Sequence, residues 1–250
     1  VISFEGRVYD FDWGDAPEPT YPTLRTSNGA RHIVVSGFFL GTTVDADPDG
    51  QPDALASGDD ASDGSDDEDG VVFTTPLIPG SMASIDVSAS AAGLLDAWLD
   101  FNGDGWDAGD QIFASQPLAA GSNSLTFVVP ATAVRGTTYA RFRFSSVGGL
   151  SFDGQAPDGE VEDYPVAIGL DLGDAPEATY PTLLESNGAR HIIVPDLYLG
   201  SSVDADADGQ PNAAASGDDL LDGSDDEDGV VFTTMLMPGT TASVNVSASV

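Results

Sequence analysis

The stretch YARFRF at residues 139–144 decides the fold class of this chain. Ala140, Phe142 and Phe144 alternate with the two arginines, which is the period of a β-strand that buries one face. The stretch SIDVS at residues 84–88 alternates in the same way. Outward from these two segments, no run of ten residues has a helical period with caps. The pattern therefore predicts an all-β chain.

Turn residues divide the remaining sequence into short strand-like runs. The first repeat begins with an irregular, proline-rich stretch at residues 12–31, and an Asp-rich loop occupies residues 45–69. Many short strands at this spacing are typical of an Ig-like or jelly-roll β-sandwich. The predicted strands are 31–35, 38–44, 70–74, 82–90, 95–101, 111–115, 122–129, 137–146 and 160–168.

An internal repeat organises the chain. Residues 12–91 align without a gap to residues 171–250, at an offset of 159, and 57 of the 80 aligned pairs are identical. We therefore predict a lead-in strand at 1–11, a complete unit at 12–170, and the first half of a second, homologous unit at 171–250. This tandem repeat leads us to expect a longer parent protein.

The charge is extreme, and it is local. The 250 residues include 42 Asp and Glu against 7 Arg, no Lys and no Cys, for a net charge of −35. Such a chain would repel the phosphates of nucleic acid and anionic membrane surfaces, and it has no apolar run long enough to span a bilayer. Residues 45–69 hold eleven acids and residues 204–228 hold ten. Solvation or high salt could also balance this charge, but clustering favours bound cations.

The acids form hexads of the D-x-D-x-D-G type at residues 45–50, 100–105 and 204–209. Alternate acids and a turn glycine supply oxygen ligands to one cation, and the residue after the glycine offers its carbonyl. The twelfth-position glutamate and flanking helices of an EF-hand are absent. Calcium is favoured over magnesium because it accepts many oxygens in irregular geometry. A solvated acidic loop is the alternative interpretation.

The candidate metal ligands are the hexad residues, the acids that follow them, and two glutamates near the end of the first unit. We predict several Ca²⁺ ions on Asp45, Asp47, Asp49, Gln51, Asp53, Asp59, Asp60, Asp63, Asp66, Asp67, Asp69, Asp100, Asn102, Asp104, Trp106, Asp110, Glu160, Glu162, Asp204, Asp206, Asp208, Gln210, Asp218, Asp219, Asp222, Asp225, Asp226 and Asp228.

The sequence GEVEDY at residues 159–164 resembles the signature of the GEVED domain, a β-rich module of large bacterial surface and secreted proteins. The stretch AWLDFNGDG at 97–105 is similar to a second motif of that family. The resemblance implies an extracellular or cell-surface setting, tandem modules, calcium binding, and no known catalytic activity. It matches Glu160, Glu162 and Asp163 to the signature acids, and Asp100, Asn102 and Asp104 to the loop.

Glu160 and Glu162 lie two residues apart on a predicted strand and therefore share one face. They could hold an ion together with Asp153 or Asp158, or they could form a polar strand face.

Several other residues have two interpretations. Asp12 and Asp15 are either further ligands or turn caps. We expect His32 to be a hydrogen-bonded structural histidine. Among the aromatic residues, we expect Trp98, Phe101, Phe142 and Phe144 in the core, whereas Tyr21 and Trp106 lie in predicted loops and are candidates for ligand contact.

These observations favour a calcium-binding structural or adhesive module of an extracellular repeat protein. Its expected partners are other copies or neighbouring repeats, surface glycans or other cells. The alternatives are a filament subunit assembled by strand addition, with residues 1–11 as a donor strand, and a glycan-binding accessory module. An enzyme is not expected, because carboxylates this numerous make any catalytic pair uninformative.

Overall fold

The computed structural model describes residues 2–4, 7–58, 67–194, 196–217 and 226–249. The chain is all-β, as predicted, and divides into two compact units, Val1–Ile168 (unit 1) and Gly169–Val250 (unit 2). No helix in the described part is long and apolar enough to cross a membrane. The strands of unit 1 are β1 Ile2–Phe4, β2 Arg7–Tyr9, β3 Phe11–Trp13, β4 Arg31–Ile33, β5 Val71–Phe73, β6 Met82–Ala89, β7 Gly93–Leu99, β8 Gln111–Leu118, β9 Gly121–Val128, β10 Gly136–Ser145, β11 Gln155–Ala156 and β12 Glu160–Ile168.

Two sheets of unit 1 share one hydrophobic core. One sheet has the order β12-β10-β7-β8 and the other β5-β6-β9. Their buried side chains form a single cluster that includes Ile85 and Val87 of β6 and Phe142 and Phe144 of β10. Burying apolar faces of two sheets against each other is the arrangement of a β-sandwich. The expected core positions of Phe101, Phe142 and Phe144 are confirmed in this cluster, and that of Trp98 is confirmed in a second, smaller core cluster.

Sheet register determines which residues of β12 face the core. In the antiparallel pair, Glu162 lies opposite Phe142 and Asp163 lies opposite Arg141. Because side chains alternate across a strand, Glu160 and Glu162 lie on the core side and Asp163 lies on the other. A third sheet, in the order β11-β4-β3, brings the start of the repeat beside this region.

The prediction of a strand at 38–44 is wrong, because this segment does not form a regular strand. This segment makes isolated bridges, Val35 with Phe38 and Leu40 with Ala89. Gly41 has a φ of 56°, in the left-handed region that interrupts an extended strand. The segment therefore turns at Gly41 instead of pairing along its length. The segments predicted at 82–90, 122–129, 137–146 and 160–168 are strands whose ends differ by no more than one residue.

Unit 2 repeats the local architecture of the start of unit 1. Its strands are β13 Leu170–Leu172, β14 Arg190–Ile192, β15 Val230–Phe232 and β16 Val244–Val246, which pair as β13-β14 and β15-β16. The bridge of Leu40 with Ala89 has its counterpart in Leu199 with Ala248.

A buried ion pair joins the proline-rich segment to the sheet. The Arg141 guanidinium donates to both carboxylate oxygens of Asp163, at 2.7 and 2.6 Å, and both side chains are fully buried. Asp163 Oδ2 also accepts the backbone N–H groups of Asp15 and Ala16, each at 2.8 Å. The signature acid Asp163 is therefore a structural anchor for the turn at residues 14–16.

This anchor leaves no room for a side chain at Gly14. A Cβ there would lie 2.5 Å from Asp163 Oδ2 and 2.7 Å from Arg141 Nη2. We expect Gly14→Ala to lower the free energy of unfolding by about 1–3 kcal/mol, the usual cost of overpacking. Gly173→Ala is the matched control, because the repeat position has no atom within 4 Å of a Cβ. Urea unfolding followed by circular dichroism measures both. Equal effects of the two substitutions would contradict the packing argument.

Candidate functional site

The two signature glutamates are buried against backbone donors of the acidic segment. Glu160 Oε2 accepts the N–H of Leu40, and Glu162 Oε1 accepts the N–H of Gly70 at 2.8 Å. Each side chain is only 1% exposed. Leu40 and Gly70, on either side of the acidic segment, therefore both contact the start of β12.

The same strand is held by two more contacts. The N–H of Val161 donates to Asp12 Oδ2 at 2.6 Å, and the N–H of Val71 donates to the Tyr164 hydroxyl oxygen at 3.1 Å. Tyr164 in turn donates to Glu162 Oε2 at 3.1 Å.

Other acids surround the pair. Burial raises the pKa of the Glu160 carboxyl well above its ordinary value, and the charges of Glu162, Asp12 and Asp67 raise it further. Burial also raises the pKa of Glu162 well above its ordinary value, and the charges of Asp69 and Asp67 add to this effect. Asp12 and Asp67 are themselves buried. We call Asp12, Asp67, Glu160 and Glu162 the carboxylate cluster.

One oxygen of this cluster lacks a hydrogen-bond donor. Glu160 Oε1 is buried and has no hydrogen-bond partner among the described residues. Asp45, Asp47, Asp67 and Glu68 each place a carboxylate oxygen out of contact with solvent. A buried carboxylate oxygen without a donor is costly unless a proton or a cation compensates it.

Charges of the same sign lie close to Glu160, because Glu162, Asp12 and Asp67 all raise its pKa. The salt bridge of Arg141 with Asp163 involves the other face of β12. Two chemical states can relieve the cluster: protonated carboxyls or a bound cation. Among the described residues, no three acids or histidines are already grouped as a metal site. A cation would therefore have to draw the carboxylates closer together.

Two carboxylates of the first hexad, at residues 45–50, accept hydrogen bonds from the protein itself. Asp49 Oδ1 accepts the N–H groups of Arg25 and Gly50, at 2.6 and 3.0 Å, so its carboxylate holds the turn at residues 25–27. Asp47 Oδ1 accepts the amide of Gln51 at 2.9 Å. The Asp45 N–H donates to Asp67 Oδ2 at 2.9 Å. The hexad thus joins the carboxylate cluster through Asp67.

Two acids near this hexad make local hydrogen bonds. Asp53 Oδ1 accepts the N–H groups of Leu55 and Ser57. Asp69 Oδ1 accepts the N–H of Thr42.

In the hexad at residues 100–105, backbone N–H groups of the hexad donate hydrogen bonds to the Asp100 carboxylate. The buried Asp100 carboxylate accepts the N–H groups of Asn102, Gly103 and Gly105 and the hydroxyl of Tyr21. Asn102 and Asp104 are exposed.

Asp110 closes the same turn. It is buried, and its carboxylate accepts the N–H groups of Phe101 and Asp107, at 3.3 and 2.9 Å. Backbone donors thus pair with the buried carboxylate oxygens of this turn.

The remaining candidates lie in unit 2 or outside the described residues. Asp206 Oδ2 accepts the N–H of Leu172, and Asp208 Oδ1 accepts the N–H groups of Leu184 and Gly209. The candidate ligands that lie outside the described residues are Asp59, Asp60, Asp63, Asp66, Asp218, Asp219, Asp222 and Asp225.

Four further unit 2 candidates repeat contacts of unit 1. Asp204 N donates to Asp226 Oδ2 at 3.2 Å, and Asp228 Oδ1 accepts the N–H of Ser201 at 2.9 Å. Gln210 Nε2 donates to Asp206 Oδ1 at 3.4 Å.

The structural role expected for His32 is confirmed. It is fully buried; its Nδ1–H donates to the Asp158 carbonyl at 2.7 Å, and its Nε2 accepts from Arg143 Nε at 3.0 Å. Burial lowers the pKa of His32 well below its ordinary value. The ring is therefore neutral and joins β4 to the sheet.

The two loop aromatic residues are core residues, which corrects the expectation of ligand contact. Tyr21 and Trp106 are buried, with ring centroids 4.5 Å apart. The Arg141 guanidinium lies 4.3 Å over the Trp106 ring, and the indole N–H donates to the Tyr139 carbonyl at 3.2 Å. Spacing in the sequence gave no signal of this packing.

The neighbours of the signature glutamates also differ from those expected. Asp158 accepts from Ser146, and Asp153 accepts from Asn28. The acids around Glu160 and Glu162 are instead Asp12 and Asp67, from far earlier in the chain. The sequence pattern predicts Asp153 or Asp158 as companions of the two glutamates, and it predicts Asp12 as a ligand or a turn cap.

The motifs at 97–105 and 159–164 both lie in a segment that matches a known family. Residues 94–167 match the family model of the GEVED domain, which confirms the resemblance for this segment. The match covers β7 through nearly all of β12, whereas the acidic loop lies outside it. No curated protein and no solved structure matches the chain.

Proposed function

We propose that this chain is a calcium-binding structural or adhesive module of an extracellular bacterial repeat protein. Ca²⁺ bound at the carboxylate cluster would fasten the acidic loop to the sheet β12-β10-β7-β8, which we call the GEVED sheet. The observation that carries the proposal is the burial of Glu160 and Glu162 side by side, with Glu160 Oε1 lacking a donor among the described residues. The Ig-like or jelly-roll topology, the tandem arrangement and the cell-surface location belong to the same proposal.

Electrostatics support a cation over permanent protonation. Several carboxylates from separate segments approach one another without a basic side chain among the main influences on Glu160. An ion with six to eight oxygen ligands and flexible geometry suits such a set. Because the ion binds the folded arrangement only, it would stabilise the folded module. The module acts by binding neighbouring repeats or other cells, and it catalyses no reaction.

The proposal predicts opposite pH dependences with and without calcium. The folded pKa values of Glu160 and Glu162 lie above the ordinary value of 4.5, so the folded chain holds these protons more tightly than the unfolded chain. Without calcium, their contribution to stability is therefore complete below that value and is lost as the pH rises through the folded pKa values. With calcium, deprotonation is required for binding, so stability should be retained as the pH rises.

The measurement is urea unfolding at several pH values in EGTA and in calcium. The double variant Glu160→Gln, Glu162→Gln is the control, because it cannot titrate at these positions. The difference between wild type and variant isolates the pair from the other acids. The difference in free energy of unfolding between wild type and double variant should change with pH in EGTA. If it does not, the raised pKa values of Glu160 and Glu162 are contradicted.

A further inference from the structure

Unit 2 exposes an apolar face that unit 1 buries. Val244 and Val246 of β16 are 46% and 60% exposed, whereas their repeat counterparts Ile85 and Val87 are fully buried. Leu199 is 51% exposed, and its counterpart Leu40 is fully buried. An exposed apolar patch of this kind marks a binding surface.

The chain itself shows what covers this face. In unit 1 the equivalent side chains belong to one core cluster with Leu95 of β7, Phe142 and Phe144 of β10, and Val166 and Ile168 of β12. All of these covering residues lie in the GEVED sheet. The apolar face of unit 2 therefore corresponds to the face that the GEVED sheet covers in unit 1.

A cavity in unit 2 lies where unit 1 receives the signature strand. The residues that hold β12 in unit 1 are Asp12, Leu40, Gly70 and Val71. Their counterparts at the offset of 159 all line a cavity of about 530 Å³ in unit 2. This volume is in the range of pockets that bind ligands, about 300–1,000 Å³. The four counterparts are Asp171, Leu199, Gly229 and Val230.

The backbone of this cavity already has the arrangement seen in unit 1. A Cβ on Gly70 or Gly229 would lie 2.5 Å from the Cβ of the adjacent leucine in both units. In unit 1 the next contact of that Cβ is Glu162 Oε1 at 2.7 Å, whereas in unit 2 no carboxylate is among the three nearest atoms.

Hydrogen bonds around the cavity are also repeated. Gly41 N to the Ser88 carbonyl is 2.9 Å, and Gly200 N to the Ser247 carbonyl is 3.0 Å. The receiving backbone is therefore preorganised, which reduces the cost of binding.

We propose that unit 2 is a docking site for a GEVED sheet supplied by a second GEVED domain. The signature strand of that sheet would enter the cavity with its two glutamates toward the N–H groups of Leu199 and Gly229. Its aromatic residues would cover β16, as Phe142 and Phe144 cover β6 in unit 1. Recognition thus combines strand insertion with burial of the apolar face.

The test is a full chain with a second copy of residues 92–168 appended after Val250, where the repeat offset places them. Amide hydrogen exchange is followed at Leu199, Gly229 and Val230. We expect exchange at these amides to slow by at least about tenfold relative to the unextended chain, toward the rates at Leu40, Gly70 and Val71. Unchanged exchange in the extended chain would overturn the proposal.

Two controls make the result specific. The first appends an unrelated β-domain of equal length, and no slowing is expected. The second places Val246→Asp in the extended chain. This residue is exposed, so the unextended chain should tolerate the change, while docking should be lost. Slowing that persists in either control would overturn the proposal. So would slowing in the unextended chain at high concentration, which would indicate self-association of the face.

Discussion

Arg141→Ala is expected to lower the free energy of unfolding of unit 1 by about 3–5 kcal/mol, because it leaves Asp163 buried without its counter-charge. The loss is a large fraction of the total, since single domains are stable by only about 5–15 kcal/mol. The guanidinium also donates to the carbonyls of Pro22 and Phe152, at 2.7 and 2.9 Å, so the substitution releases the proline-rich segment as well.

Tryptophan fluorescence can measure the effect of Arg141→Ala on unit 1. The three tryptophans are Trp13, Trp98 and Trp106, and all are buried in unit 1. Tryptophan fluorescence during urea unfolding therefore reports on unit 1 alone. Arg135→Ala is the matched control, because Arg135 is exposed. It should change stability by no more than about 0.5 kcal/mol. An effect of Arg141→Ala as small as that of the control would show that the ion pair is not an anchor.

Calcium removal is the second change with a large expected effect. A single ion that binds only the folded state, at a concentration 1,000-fold above its dissociation constant, adds about 4 kcal/mol. For a domain the size of unit 1, this corresponds to a shift in Tm of about ten degrees or more. Excess EGTA should therefore lower the Tm of unit 1 by about that amount. The physical cause is the repulsion that returns to the carboxylate cluster when the ion leaves.

The alternation of apolar and polar residues made most of the fold predictable from the sequence. The period of two in YARFRF and SIDVS fixed β10 and β6, and the same rule placed Glu160 and Glu162 on one face. Local patterns cannot say which distant loop folds over that face. Asp12 and Asp67 reach the glutamates through the pairing of β3 with β4 and the closure of the loop at Gly70, both of which are tertiary contacts.

The functions of individual acids were harder to assign than their positions. Asp49 and Asp100 match a cation-binding hexad, yet each carboxylate accepts backbone N–H groups. Asp also forms such turns without metal, so the hexad pattern alone does not separate the two roles. Asp163 belongs to the family signature but pairs with Arg141, a residue whose alternation indicated only a strand face.

The most direct test of the central claim compares the Tm of unit 1 in calcium and in EGTA, for the wild type and for the double variant Glu160→Gln, Glu162→Gln. Tryptophan fluorescence is the signal, and Asp10→Asn, which changes an exposed acid that is not a candidate ligand, is the control variant. We predict that calcium raises the Tm of the wild type and of the control by about ten degrees or more. We predict that it has little effect on the double variant, whose Tm in EGTA should be no lower than that of the wild type. A wild-type Tm that is the same in calcium and EGTA, or an equal calcium shift in the double variant, would contradict the account.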